Sequence, residues 1–174
     1  MVLTLYIDEL SQPSRSVVAL AYLANIDCKI EKVEVAQGQQ FSKEFAKINP
    51  NKKLPAMVDG DVVLFESGAI LRYMCNTYLP EDNTFYPRNN LNAKYQIEQM
   101  MDYHHRFVRP GARAFYSHML APLQGTADMF DTEAETRQSE EIAREVDSII
   151  KARGGMVARG IITIADLLVY SEII

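Results

Sequence analysis

A mixed α/β domain followed by an all-helical one is the fold class this sequence predicts, on three observations. Up to about residue 78, apolar residues alternate between the period of a strand and the period of a helix. A stretch with several proline and polar residues, 80–90, interrupts the pattern. Beyond it only helical periodicity remains. The organisation expected is therefore a first domain over 1–79, a linker over 80–90 and a helical domain over 91–174.

Leu3, Leu5 and Ile7 alternate with Thr4 and Tyr6 as a first strand. Pro13 suits the opening turn of a helix whose apolar positions Val17, Leu20, Ala21 and Ala24 fall on one face. Ile30, Val33 and Val35, set among charged residues, predict a second strand, parallel to the first because a helix connects them. Ser42 to Asn49 predicts a short helix, ended before Pro50. Ala56-Met57-Val58 and Val62-Val63-Leu64 flank Asp59-Gly60, a pair suited to a tight hairpin turn. From Ser67, the spacing of Ile70, Tyr73, Met74 and Tyr78 completes a β-α-β-α-β-β-α order. In the helical part, Ala93, Ile97, Met100, Met101 and Phe107 mark a long helix disturbed near Pro110-Gly111, and Ile142, Val146, Ile149 and Ile150 mark another. Thr163-Ile164-Ala165-Asp166 has capping-box spacing, with Ile162 and Leu167 placed as its hydrophobic staple.

Composition narrows the function classes. With 48% hydrophobic and 24% charged residues, the chain is neither disordered nor collagen-like. The 18 Lys and Arg against 23 Asp and Glu leave a net charge of -5, which argues against a broad grip on nucleic acid or an anionic membrane. The longest strongly apolar stretch, Val17 to Ala24, falls well short of the roughly 20 residues of a membrane span. Asp8 and Glu9 stand where a secretory signal needs a positive flank, so a cytoplasmic location is expected. Cys28 and Cys75 lack C-x-x-C spacing and the three histidines form no ligand pattern, so neither a disulfide nor a metal site is expected.

Three segments can carry chemistry. After the first strand, Ser11 and Ser14 in an S-x-P-S arrangement lie at the sheet end where ligands collect. A hydroxyl there can donate a hydrogen bond to a thiolate, or it can be a plain helix cap. Lys52-Lys53-Leu54-Pro55-Ala56 sets a proline before a strand, and a cis bond there would turn the Leu54 backbone outward to pair with an extended peptide; an ordinary trans turn is the plain alternative. Phe65-Glu66-Ser67-Gly68 joins a strand end to a helix start. There the first N–H groups and the Ser67 hydroxyl suit a carboxylate and Glu66 suits an amine, the two ends of an α-amino acid, with a simple serine cap as the alternative.

In order and spacing, L-S-Q-P-S-R, N-P-N-K-K-L-P-A, D-G-D and F-E-S-G-A-I-L-R-Y resemble the cytosolic glutathione transferases of the theta-like branch. The likeness continues through Asp102-Tyr103-His104-His105, Phe115-Tyr116 and T-I-A-D-L. It implies a thioredoxin-like domain that binds glutathione as co-substrate, a helical domain that forms most of the electrophile pocket, a homodimer, and no metal. Ser11 then looks like the catalytic hydroxyl. Gln12 would sit beside it, Leu54 and Pro55 would meet the cysteinyl backbone, Glu66 and Ser67 the γ-glutamyl end, and Lys53 and Gln40 the glycyl carboxylate. Theta relatives often have His where this chain has Gln40. Arg106 and Arg109 become candidates for the electrophile site, although arginines so placed more often are solvated or pair with acids.

The implied reaction joins the glutathione thiolate to a small electrophile such as an alkyl halide, epoxide or peroxide, as a detoxification step. The alternative is a non-catalytic glutathione-binding or protein-interaction module of the same fold. Against the family pattern, Ala152 to Met156 replaces an apolar approach to the capping box, and the chain stops at Ile174 where the family continues with further helices. A C-terminally truncated form of marginal stability is the expectation, because Leu167, Leu168, Val169, Ile173 and Ile174 are apolar on more than one side of the last helix.

Overall fold

The computed structural model describes residues 2–123 and 125–173; Ile174, counted above in the last apolar helix, lies outside them. The chain divides into two units, Met1–Asn90 and Leu91–Ile174.

The first unit runs β1 (Thr4–Ile7), α1 (Gln12–Leu23), β2 (Lys29–Lys32), α2 (Lys43–Ile48), β3 (Ala56–Asp59), β4 (Val62–Phe65) and α3 (Ser67–Tyr78). The strand order is β2-β1-β3-β4. β1 pairs parallel with β2 and antiparallel with β3, which pairs antiparallel with β4. This is the expected mixed sheet, and the period-two pattern explains its two faces. Tyr6 and Ala56 pack with Val33, Phe45 and Ile48 on the α2 side. Alternation puts Leu5 and Ile7 on the other side, toward α1 and α3, where Val17, Leu20, Ile70, Leu71 and Met74 are also buried. Val35, read as strand, instead begins a 3₁₀ turn.

The hairpin turn differs by one residue from the sequence reading. Asp59 still pairs with Val62, so the turn is Gly60-Asp61, and Gly60 alone supplies the positive φ, 59°. The Asp59 side chain is thereby left to bond elsewhere, and its Oδ2 accepts hydrogen bonds from the hydroxyls of Tyr73, at 2.8 Å, and Tyr78. Residues 80–90 are tied down. Tyr86 is buried, and Arg88 donates to the carbonyls of Cys75 at 2.9 Å and Leu79 at 3.2 Å, satisfying the open end of α3.

The Tyr78 and Tyr73 hydroxyls, in that order, hold the Asp59 carboxyl below its ordinary range. A carboxyl lowered in the folded state contributes stability above its unfolded pKa of about 3.9 and loses it as pH falls through the folded value. Asp59→Asn should therefore cost stability near neutral pH, and the difference from wild type should shrink as pH falls below about 4. Denaturant titrations at several pH values measure this; a difference independent of pH would show that the pair of tyrosines does not favour the charged form.

The second unit opens with α4 (Leu91–Tyr103), which runs on through a π turn (His104–Val108) and a 3₁₀ turn (Arg109–Gly111) into α5 (Ala112–Phe115). Pro110 has no N–H to offer the preceding turn, so the disturbance falls where the sequence placed it. Gly111 lets another helix approach: a Cβ there would stand 3.2 Å from Ile142. A second π turn (Tyr116–Leu120) leads to α6 (Ala121–Leu123), and α7 (Thr132–Ala152) and α8 (Ile164–Ile173) follow. Asp131 caps α7, accepting from the Ala134 N–H at 3.0 Å. Along α7 only Val146 is fully buried, while Ile142, Ile149 and Ile150 are half-buried.

α8 is the core helix of this unit, with Ile164 to Val169 all buried. Its cap departs from the reciprocal box. The Asp166 carboxylate accepts from the Thr163 N–H at 2.8 Å as expected, but the Thr163 hydroxyl donates to the same oxygen at 2.6 Å. The other carboxylate oxygen accepts from the Val157 N–H at 2.7 Å. Ile162 is 41% exposed, so only the Leu167 half of the expected staple is buried.

Candidate functional site

Strand register brings the three sequence motifs to one end of the sheet. Tyr6 of β1 pairs with Ala56 of β3, and Ala56 pairs with Phe65 of β4. The loop that leaves β1 for Ser11, the Leu54-Pro55 approach to β3 and the Glu66-Ser67 exit from β4 are thus neighbours across the ladder.

Ser11 is the N-cap residue of α1, in an extended conformation, and its hydroxyl makes no capping hydrogen bond. It is half-buried, and the missing capping bond separates it from a plain cap. Ser14, one turn on, is fully buried and accepts only at 3.5 Å, from the Asp8 N–H. Asp8 was not singled out from the sequence. Its carboxylate accepts from the Leu10 N–H at 2.8 Å and the Val35 N–H at 2.6 Å, pinning the loop before Ser11. The signal for it was an Asx turn: an acid hydrogen-bonding two residues ahead at a strand end.

The Leu54-Pro55 peptide is cis. Neither backbone group of Leu54 has a hydrogen-bond partner among the described residues. Buried Asn49 shapes this loop, donating to the Lys53 carbonyl at 2.7 Å and accepting from the Asn51 N–H at 3.0 Å. The Lys53 side chain is exposed. Gln12 and Gln40 are both buried, and the Gln40 Oε1 atom has no partner among the described residues, so the amide is open to a donor.

At the third motif the structure moves the cap by one residue. Glu66, not Ser67, is the N-cap of α3, and its carbonyl accepts from the Ala69 and Ile70 N–H groups at 3.0 Å each. Ser67 is the first helical residue, so its hydroxyl and N–H stand beside the unpaired amides of the helix start. Glu66 has φ 73°, the left-handed region that a residue with a Cβ occupies at a cost of about 1–3 kcal/mol. The strained residue presents an exposed carboxylate next to a helix N-terminus.

The two arginine candidates lie in the second unit. Arg106 is exposed, its guanidinium 5.5 Å from the centre of the Phe107 ring, which stacks on Tyr103. Arg109 is engaged internally, donating at 2.5 Å to Glu172, whose side chain is only 2% exposed and also meets the His104 Nε2 at 3.2 Å. Arg109 therefore follows the plainer of its two readings. His105 is exposed, and no cluster of three or more His, Cys, Asp or Glu placed to hold a metal ion is found among the described residues. No described helix is long and apolar enough to cross a membrane.

Fold and geometry together define a thioredoxin-like domain whose sheet end gathers a serine hydroxyl without a capping bond, an open backbone edge and an acid beside a helix N-terminus. Residues 1–76 match the family model for the glutathione S-transferase N-terminal domain. Rat glutathione S-transferase theta-2 is 33% identical over 177 residues, spanning all of this chain and 71% of that protein. Arabidopsis thaliana glutathione S-transferase T2 is 40% identical over 126 residues, 72% of this chain and 21% of that protein. Among solved structures, human glutathione transferase theta-2 in complex with glutathione and an unknown ligand superposes with a TM-score of 0.87 at 31% identity, covering 98% of this chain and 70% of that one. A human theta-class enzyme with the glutathione conjugate of 1-menaphthyl sulfate gives 0.88 at 31% identity, over 99% and 71%. The chain belongs to the glutathione S-transferase family, and its likeness within the family is to the theta class. It spans about half the length of several curated relatives, 51% in the case of mouse theta-1.

Proposed function

We propose that this chain is the glutathione-binding and catalytic portion of a theta-like glutathione transferase, which joins the glutathione thiolate to small electrophiles in cytoplasmic detoxification. The observation that carries the reading is the Ser11 hydroxyl, left free by the helix it caps and set at the sheet end shared with Leu54, Glu66 and Ser67. Glutathione lies extended along β3. Its cysteinyl backbone pairs with Leu54 ahead of Pro55, its γ-glutamyl amine meets Glu66 and the accompanying carboxylate meets Ser67 and the α3 amides. Lys53 and the Nε2 of Gln40 donate to the glycyl carboxylate, and Gln12 borders the thiol.

The Ser11 hydroxyl then donates to the sulfur. The thiol gives its proton to water, the thiolate attacks carbon, an S–C bond forms and a halide leaves with the bonding pair. Of the two arginine candidates for the electrophile site, Arg106 has an exposed side chain and Arg109 is held by Glu172. The homodimer implied by the resemblance has a surface to use in β4, where Val62, Val63 and Phe65 are exposed.

The test of the binding mode is Ser67→Ala. Loss of a hydrogen bond to a charged carboxylate should weaken glutathione binding by roughly 1–3 kcal/mol in titration calorimetry. Unchanged affinity would remove the γ-glutamyl end from this helix start.

A further inference from the structure

We propose that β2 is a self-complementary docking strand, pairing antiparallel with β2 of a second copy of this chain about a two-fold axis at Ile30. β2 ends the sheet, so one of its sides has no neighbouring strand among the described residues. Lys29 and Val33 spend their N–H groups on the carbonyls of Leu3, just before β1, and Ile7, its last residue, at 2.7 and 2.8 Å. By alternation Ile30 and Lys32 turn their backbone groups outward, where they have no partner among the described residues.

Exposed edges are normally guarded by charge, and here Lys29 and Glu31 stand on one face, paired with each other. Against an unrelated strand these charges are a barrier. Against its own copy, centred on Ile30, they match: each Lys29 faces Glu31 of the second copy, twice over, while the two Ile30 residues exchange both backbone hydrogen bonds. The neighbouring registers are disfavoured. Centring on Lys29 or on Glu31 sets like charges directly opposite one another.

The other face of the strand agrees. Ile30, 39% exposed, borders an apolar groove of ≈ 410 Å³ whose α1 wall includes Val18, Ala19 and Tyr22. Tyr22 is 85% and Leu23 50% exposed. The two-fold axis brings the second α1 alongside the first, so each Tyr22 covers apolar surface contributed by the other copy. β4 lies at the opposite edge of the sheet, so this contact is separate from any dimer formed there.

The test reads the contact itself rather than the mass of the assembly. Chains carrying Lys29→Cys and chains carrying Glu31→Cys, both with Cys28→Ser, are mixed and oxidised with diamide. The proposed register puts positions 29 and 31 of different copies directly opposite, about 4.5–5.5 Å apart, within disulfide reach. Positions 29 with 29, or 31 with 31, are diagonal neighbours at about 7–8 Å, beyond it. Covalent dimer should form in the mixture about tenfold faster than with either chain alone, and Tyr22→Asp in both chains should remove that advantage. Equal rates in mixed and single samples, no covalent dimer at all, or indifference to Tyr22→Asp would each overturn the proposal.

Discussion

Ser11→Ala is expected to lower turnover by about 10²–10³-fold, the usual effect of removing one donor aimed at developing or resident negative charge. Glutathione affinity should change little. The hydroxyl favours the thiolate over the thiol, so it acts on reactivity more than on binding, while Glu66, Ser67 and the Leu54 backbone hold the tripeptide. The thiolate absorbance of the glutathione complex, followed against pH, gives an independent reading. Without the hydroxyl the thiol should titrate near its ordinary value, about 8.5 for a cysteine-type group, and the reactive fraction at neutral pH should fall. Ser14→Ala should affect stability more than rate, because Ser14 is buried behind the loop. Full turnover without Ser11 would mean that another donor activates the sulfur; unchanged binding with no turnover in the unmodified chain would favour the non-catalytic alternative.

The largest effect on stability is expected from Asp166→Ala. One buried carboxylate satisfies the Thr163 N–H and hydroxyl with one oxygen and the Val157 N–H with the other. Alanine leaves two buried backbone donors unpaired and removes the cap from the helix at the centre of the second unit. At roughly 1.5–3 kcal/mol for each of these two backbone hydrogen bonds to a charged group, the loss is about 3–6 kcal/mol. Against a typical domain stability of about 5–15 kcal/mol, that is enough to populate unfolded chain at ordinary temperatures. Denaturant unfolding followed by circular dichroism measures it, and a midpoint within error of wild type would show that the cap is dispensable. Asp166→Asn should cost less, since its carbonyl oxygen can still accept one of the bonds.

Much of this was legible from local pattern. The alternation of Leu3, Leu5 and Ile7, the Pro13 helix start, the turn glycine at 60 and the apolar surround of α8 each depend on a few neighbouring residues, and each has its expected element. The candidate site was legible for the same reason, since its three motifs sit at strand and helix ends whose order along the chain dictates where they emerge. The small errors are of the same local kind. Asp59-Gly60 and Gly60-Asp61 are equally good turns by composition, and whether Glu66 or Ser67 caps α3 depends on where β4 releases the chain.

What the sequence by itself determined is therefore the element order, the faces that must be buried and the residues presented at the sheet end. Only the tertiary structure decided the partners of the charges. Arg109 and Glu172 are 63 positions apart, and nothing local to either says that they meet. Likewise Val157, nine residues before Asp166, finds that carboxylate because the intervening segment folds back on α8. Periodicity encodes which face of a helix is apolar, and the hydrophobic effect then buries it without regard to direction. A hydrogen bond or ion pair needs two particular atoms within about 3 Å, and that is settled only when the packed faces have taken up their final register.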